Sequence, residues 1–240
     1  MANKVLLNNI DHGDLRVLAR HGAAFGDGVN QVPVFPTEFE DVQREYPIFF
    51  RRGAEGGFQA VALLGFDRDE NLFLSGDRWQ ARYVPAVQAR GPFSIVVHDR
   101  ALSGVAEPEP MIHIDLDDPR VGREGEPLFL PRGGNAPYLE QVAGTLRRIY
   151  TGMDIARAMY AALEALALLQ SVEVEVALDD ARSYRLPELF TIDQDRLARL
   201  DAGALEGLHR PGFLRLAFLA AASLGGVHRL IELKNRKPAP

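Results

Sequence analysis

Cysteine is absent from this 240-residue chain. That excludes disulfide staples, cysteine-ligated zinc and thiol catalysis, and it fits a reducing compartment. Lysine is scarce: of 27 basic residues, 24 are Arg and 3 are Lys. Arginine suits buried and interfacial ion pairs, but a surplus of it names no partner. A net positive charge is also lacking. The formal charge is −6, the wrong sign for a general nucleic-acid binder. Long apolar runs are missing too. Met159–Leu169 and Leu214–Leu224 are interrupted by Glu164 and Arg215. Both fall short of the roughly 18–20 residues that span a bilayer. The opening MANKVLLNNIDHGD offers only Val5-Leu6-Leu7 before acids follow, unlike a signal peptide. The expectation is a soluble, cytoplasmic chain with no nucleic-acid partner and no direct membrane insertion.

What is present is the composition of an ordinary globule, 47% hydrophobic and 25% charged. The organising stretch is Phe58–Phe93. Phe58–Phe66 is a nearly continuous apolar run, as in a strand covered on both faces. Asn71–Leu74 reads as a second short strand. Arg78–Val84 alternates, with Trp79, Ala81 and Tyr83 on one face and Arg78, Gln80 and Arg82 on the other. Together these predict a β-meander holding the only Trp.

Around it the signals are local. Val32–Phe35 reads as an edge segment because Pro33 cannot donate to a ladder. Thr37 to Glu40 has the spacing of a capping box, and Phe39, Val42 and Tyr46 share one face of the helix it opens. Strands are expected at Ile48–Arg51, Ser94–His98 and Met111–Leu116, with a linker at Asp99–Pro110. Two helices, Tyr138–Tyr150 and Asp154–Leu169, are expected to meet at Thr151-Gly152. Val172, Val174 and Val176 alternate with acids, and Tyr184–Ile192 can pair back on them. Asp193 and Asp201 are N-caps for two short helices. Gly212–Leu224 and Val227–Leu233 close the chain before a tail. The fold class is α+β: a largely antiparallel sheet in the N-terminal half packed against helices, then a C-terminal hairpin and helical cluster. One domain over residues 1–233 and a flexible basic tail over 234–240 are expected.

The order of short patterns resembles the SapC family. The resemblance rests on Leu7-Asn8…His12, Val32-Pro33-Val34, Glu38-Phe39 and Tyr46-Pro47-Ile48, then on Ala62-Leu63-Leu64-Gly65-Phe66, Glu70–Phe73 and Arg78–Ala86. Ile114-Asp115, Pro127–Phe129, Ile192-Asp193, Gly212–Leu214 and Ser223-Leu224 complete it. What it implies is a bacterial accessory protein tied to surface-layer systems or to TonB-dependent outer-membrane uptake. It carries no catalytic residues to transfer.

Among chemical constellations, His113-x-Asp115 is the sharpest. Alternate strand residues share a face, and His-x-Asp opens the two-His-one-carboxylate iron site. That site needs a distal His, and the later ones, His209 and His228, stand in helical contexts. An iron oxygenase through His113 and Asp115 is therefore the alternative reading. Asp115, Asp117 and Asp118 lack the Gly and twelfth-position Glu of a calcium loop. The first reading is a non-catalytic protein without cofactor that binds a protein partner or its own copy. Arg78, Trp79, Arg82 and Tyr83 are the candidate binding surface, with the two aromatics expected in the core. Phe213, Leu216 and Phe218, on a helix with little polar face, are the candidate interface.

Overall fold

The structure, a computed structural model, describes residues 3–53, 56–97, 110–179 and 182–236. The linker expected at Asp99–Pro110 and the turn joining the late hairpin lie largely outside the described residues. The fold is α+β, and its described strands pair antiparallel.

The main sheet has five strands: β3 (Gln31–Pro33), β4 (Ile48–Arg52), β5 (Phe58–Leu63), β12 (Leu169–Asp179) and β13 (Arg182–Ile192). Their order is β12-β13-β4-β5-β3. The late hairpin is thus part of the main sheet, joined to β4 through Phe190 opposite Phe50. Chain order hid this, because the partners are far apart in sequence. β3 is an edge, as Pro33 requires. A bulge between Val172 and Val174 accompanies Glu188 at φ 61.

A smaller sheet pairs β1 (Lys4–Leu6), β9 (Pro110–Asp115) and β8 (Phe93–Val97) in that order. Three two-residue strands, β2 (Arg16–Val17), β10 (Val121–Gly122) and β11 (Glu126–Pro127), pair beside it. The expected meander is mostly irregular. Its first strand joins the main sheet as β5, and between it and Val84 only β6 (Leu74–Ser75) and β7 (Arg78–Trp79) pair. The in–out alternation nonetheless survives: Arg78, Gln80 and Arg82 are exposed, and Trp79, Ala81 and Tyr83 are half-buried.

One helix ties the layers together. α3 (Pro137–Ala165) runs 29 residues without a break, about 44 Å at the usual rise. Its first half gives Leu139, Val142 and Leu146 to a small core with Val17, Phe93, Ile114 and Leu128. Its second half gives Ala156, Met159 and Leu163 to the main core under the five-stranded sheet. The expected break at Gly152 is instead a crossing point. A Cβ there would lie 2.5 Å from the Phe35 Cβ, so glycine lets the chain at Phe35 touch the helix.

The capping box is also displaced. A 3-10 turn, Pro36–Glu38, precedes α1 (Phe39–Val42), and Glu38 rather than Glu40 reaches back, accepting from the Phe35 N–H at 3.0 Å. Thr37 instead donates its hydroxyl to the Arg148 carbonyl. Phe39, Val42 and Tyr46 do share a buried face.

α4 (Gln194–Ala198) and α5 (Ala202–His209) are capped by Asp193 and Asp201 as expected. α6 (Phe213–Ser223) and α7 (Gly226–Arg236) follow. Lys234, Asn235 and Arg236, expected in a flexible tail, close α7, and Lys234 is anchored by Asp67 and Glu70. Together Phe213–Arg236 has the length and composition of a membrane span. Here a turn divides it. Arg215, Arg229 and Lys234 pair with carboxylates elsewhere in the chain, and its most apolar window is 28% buried.

Candidate functional site

A cleft among the described residues has a volume of about 850 Å³. It opens between the first half of α3, the segment Leu18–His21 after β2, residues Arg82–Val84, and the loop around α2 (Ala86–Ala89). Helical spacing aims Tyr138, Gln141, Thr145 and Arg148 of α3 into it. Pro85 stands at the N-cap of α2, and the turn brings Gln88 and Gly91 to the opposite side.

The charge of the lining is lopsided. Arg20, Arg82, Arg120 and Arg148 line the cleft with His21, and Glu126 is the one carboxylate among the lining residues. This concentration stands in a chain of net charge −6. The four guanidiniums are not equivalent. Arg120 is 7% exposed and makes a bidentate pair with Asp118, at 2.9 and 2.7 Å. Burial pushes the Asp118 carboxyl up, but the hydrogen bonds and charge of Arg120 outweigh it and hold the group below its ordinary range. Arg148 donates to the Tyr83 hydroxyl at 3.2 Å and lies 3.5 Å from Asp41. Arg20 lies over the Phe25 ring, with Arg120 also 5.3 Å from that ring. Neither Arg20 nor Arg82 has a carboxylate partner among the described residues.

Behind Tyr83 sits Glu38, fully buried. Its carboxylate accepts from the Tyr83 hydroxyl at 2.7 Å, the Ala86 N–H at 2.9 Å and the Phe35 N–H at 3.0 Å. Burial raises its pKa, against those hydrogen bonds and the Arg148 charge. Glu38 thus joins the 3-10 turn, α2 and the cleft wall. Burial likewise raises the Tyr83 phenol, reinforced by the Glu38 charge. Tyr83 is therefore a neutral hydrogen-bonding group at neutral pH.

Trp79 stands one layer back. It is half-buried against the main core rather than enclosed. Its Nε1–H donates to the Tyr46 hydroxyl at 2.7 Å, and that hydroxyl donates to the Tyr83 carbonyl. Its ring meets His21 edge-on, with centroids 5.4 Å apart. His21 Nδ1 lies 3.2 Å from Asp27 Oδ2, which also accepts from the Gly22 N–H. This pair closes the 22–27 loop and orients the imidazole on the cleft wall.

Of the expected surface, then, Arg82 and Tyr83 line the cleft, while Arg78 and Trp79 do not. His113 and Asp115 share a face of β9, opposite Leu6 and Lys4 of β1. Asp115 lines a neighbouring pocket of about 300 Å³ with Lys4, Arg90 and Arg120. No group of three metal-ligating His, Asp or Glu side chains forms among the described residues. Phe213 is buried in the chain's own core, so it cannot serve the proposed interface; Leu216 is half-buried and Phe218 is 56% exposed.

Sequence reasoning missed Arg20, His21, Arg120 and Arg148. The arginine surplus was the available signal, but it did not say which arginines converge. Glu38 stood one position from the expected cap and drew no separate notice.

A SapC family model matches residues 7–230. The chain belongs to the SapC family. No curated protein and no solved structure matches it.

Proposed function

We propose that the chain is a non-catalytic binding protein, an accessory to surface-layer or TonB-dependent uptake systems, that works by protein–protein contact through the arginine-lined cleft. The observation that supports this is the charge asymmetry of the lining. Four guanidiniums and one carboxylate line the cleft of an acidic chain, and two of the guanidiniums, Arg20 and Arg82, have no carboxylate partner among the described residues. Such a field steers a complementary partner and sets its register. Two of the three hydroxyls on the walls are occupied structurally: Tyr83 binds Glu38, and Thr145 donates to the Gln141 carbonyl; burial holds the third, the Tyr138 phenol, protonated. The lining reads as a recognition surface more readily than as a nucleophile with its base.

The test is affinity capture from envelope extracts of the producing cell, with wild type beside the double variant Arg20→Glu, Arg82→Glu. Surface or outer-membrane proteins retained by wild type and lost by the variant are the expected outcome. Identical partners on both baits would remove the cleft from the reading. Light scattering on the purified protein separates a partner from a second copy of the chain.

A further inference from the structure

We infer that the cleft takes an acidic peptide segment, one carrying several Asp or Glu side chains; this rests on the cleft being the working surface. The argument comes from where its cations sit. Arg120, the buried one, is already neutralised by Asp118. The two guanidiniums without a carboxylate, Arg20 and Arg82, are exposed and stand on separate segments of the rim. Arg148, exposed on α3, adds a third wall and is only loosely held by Asp41, at 3.5 Å.

Exposed ion pairs contribute little singly. One carboxylate or one phosphate meeting one rim arginine would therefore be held weakly. A chain presenting several carboxylates meets Arg20, Arg82 and Arg148 together, and its small contributions sum. The rest of the wall suits a peptide backbone. Gln88 and Gln141 offer amides, and Tyr138 offers a ring beside them. Recognition of acidic motifs by clustered arginines is an established mode of peptide binding.

Trp79 supplies the readout. It is the only Trp, and it touches His21 on the cleft wall. The purified full chain is titrated with hexaglutamate, with hexaglutamine and with inorganic phosphate, following Trp79 emission and heat of binding. Saturable binding of hexaglutamate alone is expected. It weakens about five-fold or more between about 50 mM and about 300 mM salt, because exposed charges are screened. Arg20→Gln with Arg82→Gln weakens it by about five-fold, while Arg78→Gln, exposed but outside the cleft, leaves it unchanged. Circular dichroism and melting of each variant establish that the fold persists.

Equal binding of hexaglutamine, or none of hexaglutamate, overturns the inference. Phosphate that binds more tightly and displaces hexaglutamate overturns it in favour of a small anion. A protein that ignores hexaglutamate yet captures envelope partners in a cleft-dependent way loses only the acidic-segment inference. One that binds hexaglutamate but captures the same partners with the cleft reversed keeps the acidic-segment inference and loses only the cleft's part in capturing envelope partners.

Discussion

Gly152→Ala should destabilise the protein, although helix propensity says the opposite. Alanine is favoured over glycine inside a helix by about 1 kcal/mol. Gly152 lies in the middle of α3, so a purely local argument expects a gain. The packing reverses the sign. An added Cβ would stand 2.5 Å from the Phe35 Cβ and 2.6 Å from the Thr37 Oγ1. Comfortable carbon contacts lie near 3.5–4.0 Å, so helix and chain must part by about 1 Å. The segment cannot yield freely. Thr37 is bonded to the Arg148 carbonyl, and Glu38 accepts three hydrogen bonds. Overpacking of this kind costs roughly 1–3 kcal/mol. With backbone partners on both sides the upper part of that range applies, and about 2 kcal/mol is lost net of propensity. In a chain of this size that lowers Tm by about 4–8 °C. Gly144 is the control on the same helix. Nothing lies within 4 Å of its added Cβ, so Gly144→Ala should stabilise by about 0.4–1 kcal/mol. Thermal and urea unfolding of both variants read the two signs. A rise in Tm for Gly152→Ala matching that of Gly144→Ala would refute the crossing-point argument.

Three further predictions concern the hydrogen-bond network behind the cleft. Tyr46→Phe strips partners from the Trp79 Nε1–H and the Tyr83 carbonyl, and should cost about 1–3 kcal/mol in urea unfolding with a shifted Trp79 emission; an unchanged midpoint counts against it. Because Glu38 has a raised folded pKa, its contribution is complete below the ordinary value of 4.5 and declines as pH rises through the folded value. The stability of Glu38→Gln relative to wild type should therefore be flat below that point and improve above it; a trend in the other direction across unfolding curves from acid to neutral pH would contradict the burial argument. Asp118→Asn leaves the Arg120 guanidinium buried without its carboxylate and should cost about 3 kcal/mol at neutral pH. The gap to wild type should narrow only in strong acid, as pH falls through the lowered folded pKa of Asp118.

Much of the chain was legible because its signals are local. Pro33 marks an edge, Asp193 and Asp201 accept from backbone N–H groups three residues on, and Phe39, Val42 and Tyr46 share a face through the helical period. Alternation around Trp79 was visible even where no regular strand forms, since in-and-out packing needs only extended backbone. The patterns that place the chain in the SapC family are short, and only their order carried weight. Several are structural in origin. Asn8 and His12 close a loop through the Asn8 N–H and the His12 Nδ1, and Glu38 ties three segments to Tyr83.

What the tertiary structure decided was convergence. Arg20, Arg82, Arg120 and Arg148 are separated along the chain by tens of residues, and no period or spacing links them. They meet because α3 spans two cores and carries Arg148 past the segments that hold the others. Gly152 illustrates the same limit. Taken locally, glycine between two amphipathic runs marks a break, because its backbone is free and its helix propensity poor. Only the approach of Phe35 shows that the residue is there for what it lacks, a Cβ, and that the helix runs on through it. The late hairpin joined the main sheet for a like reason. Strand pairing between Phe190 and Phe50 is a contact between distant residues, and local sequence has no means of recording which edge a strand will find.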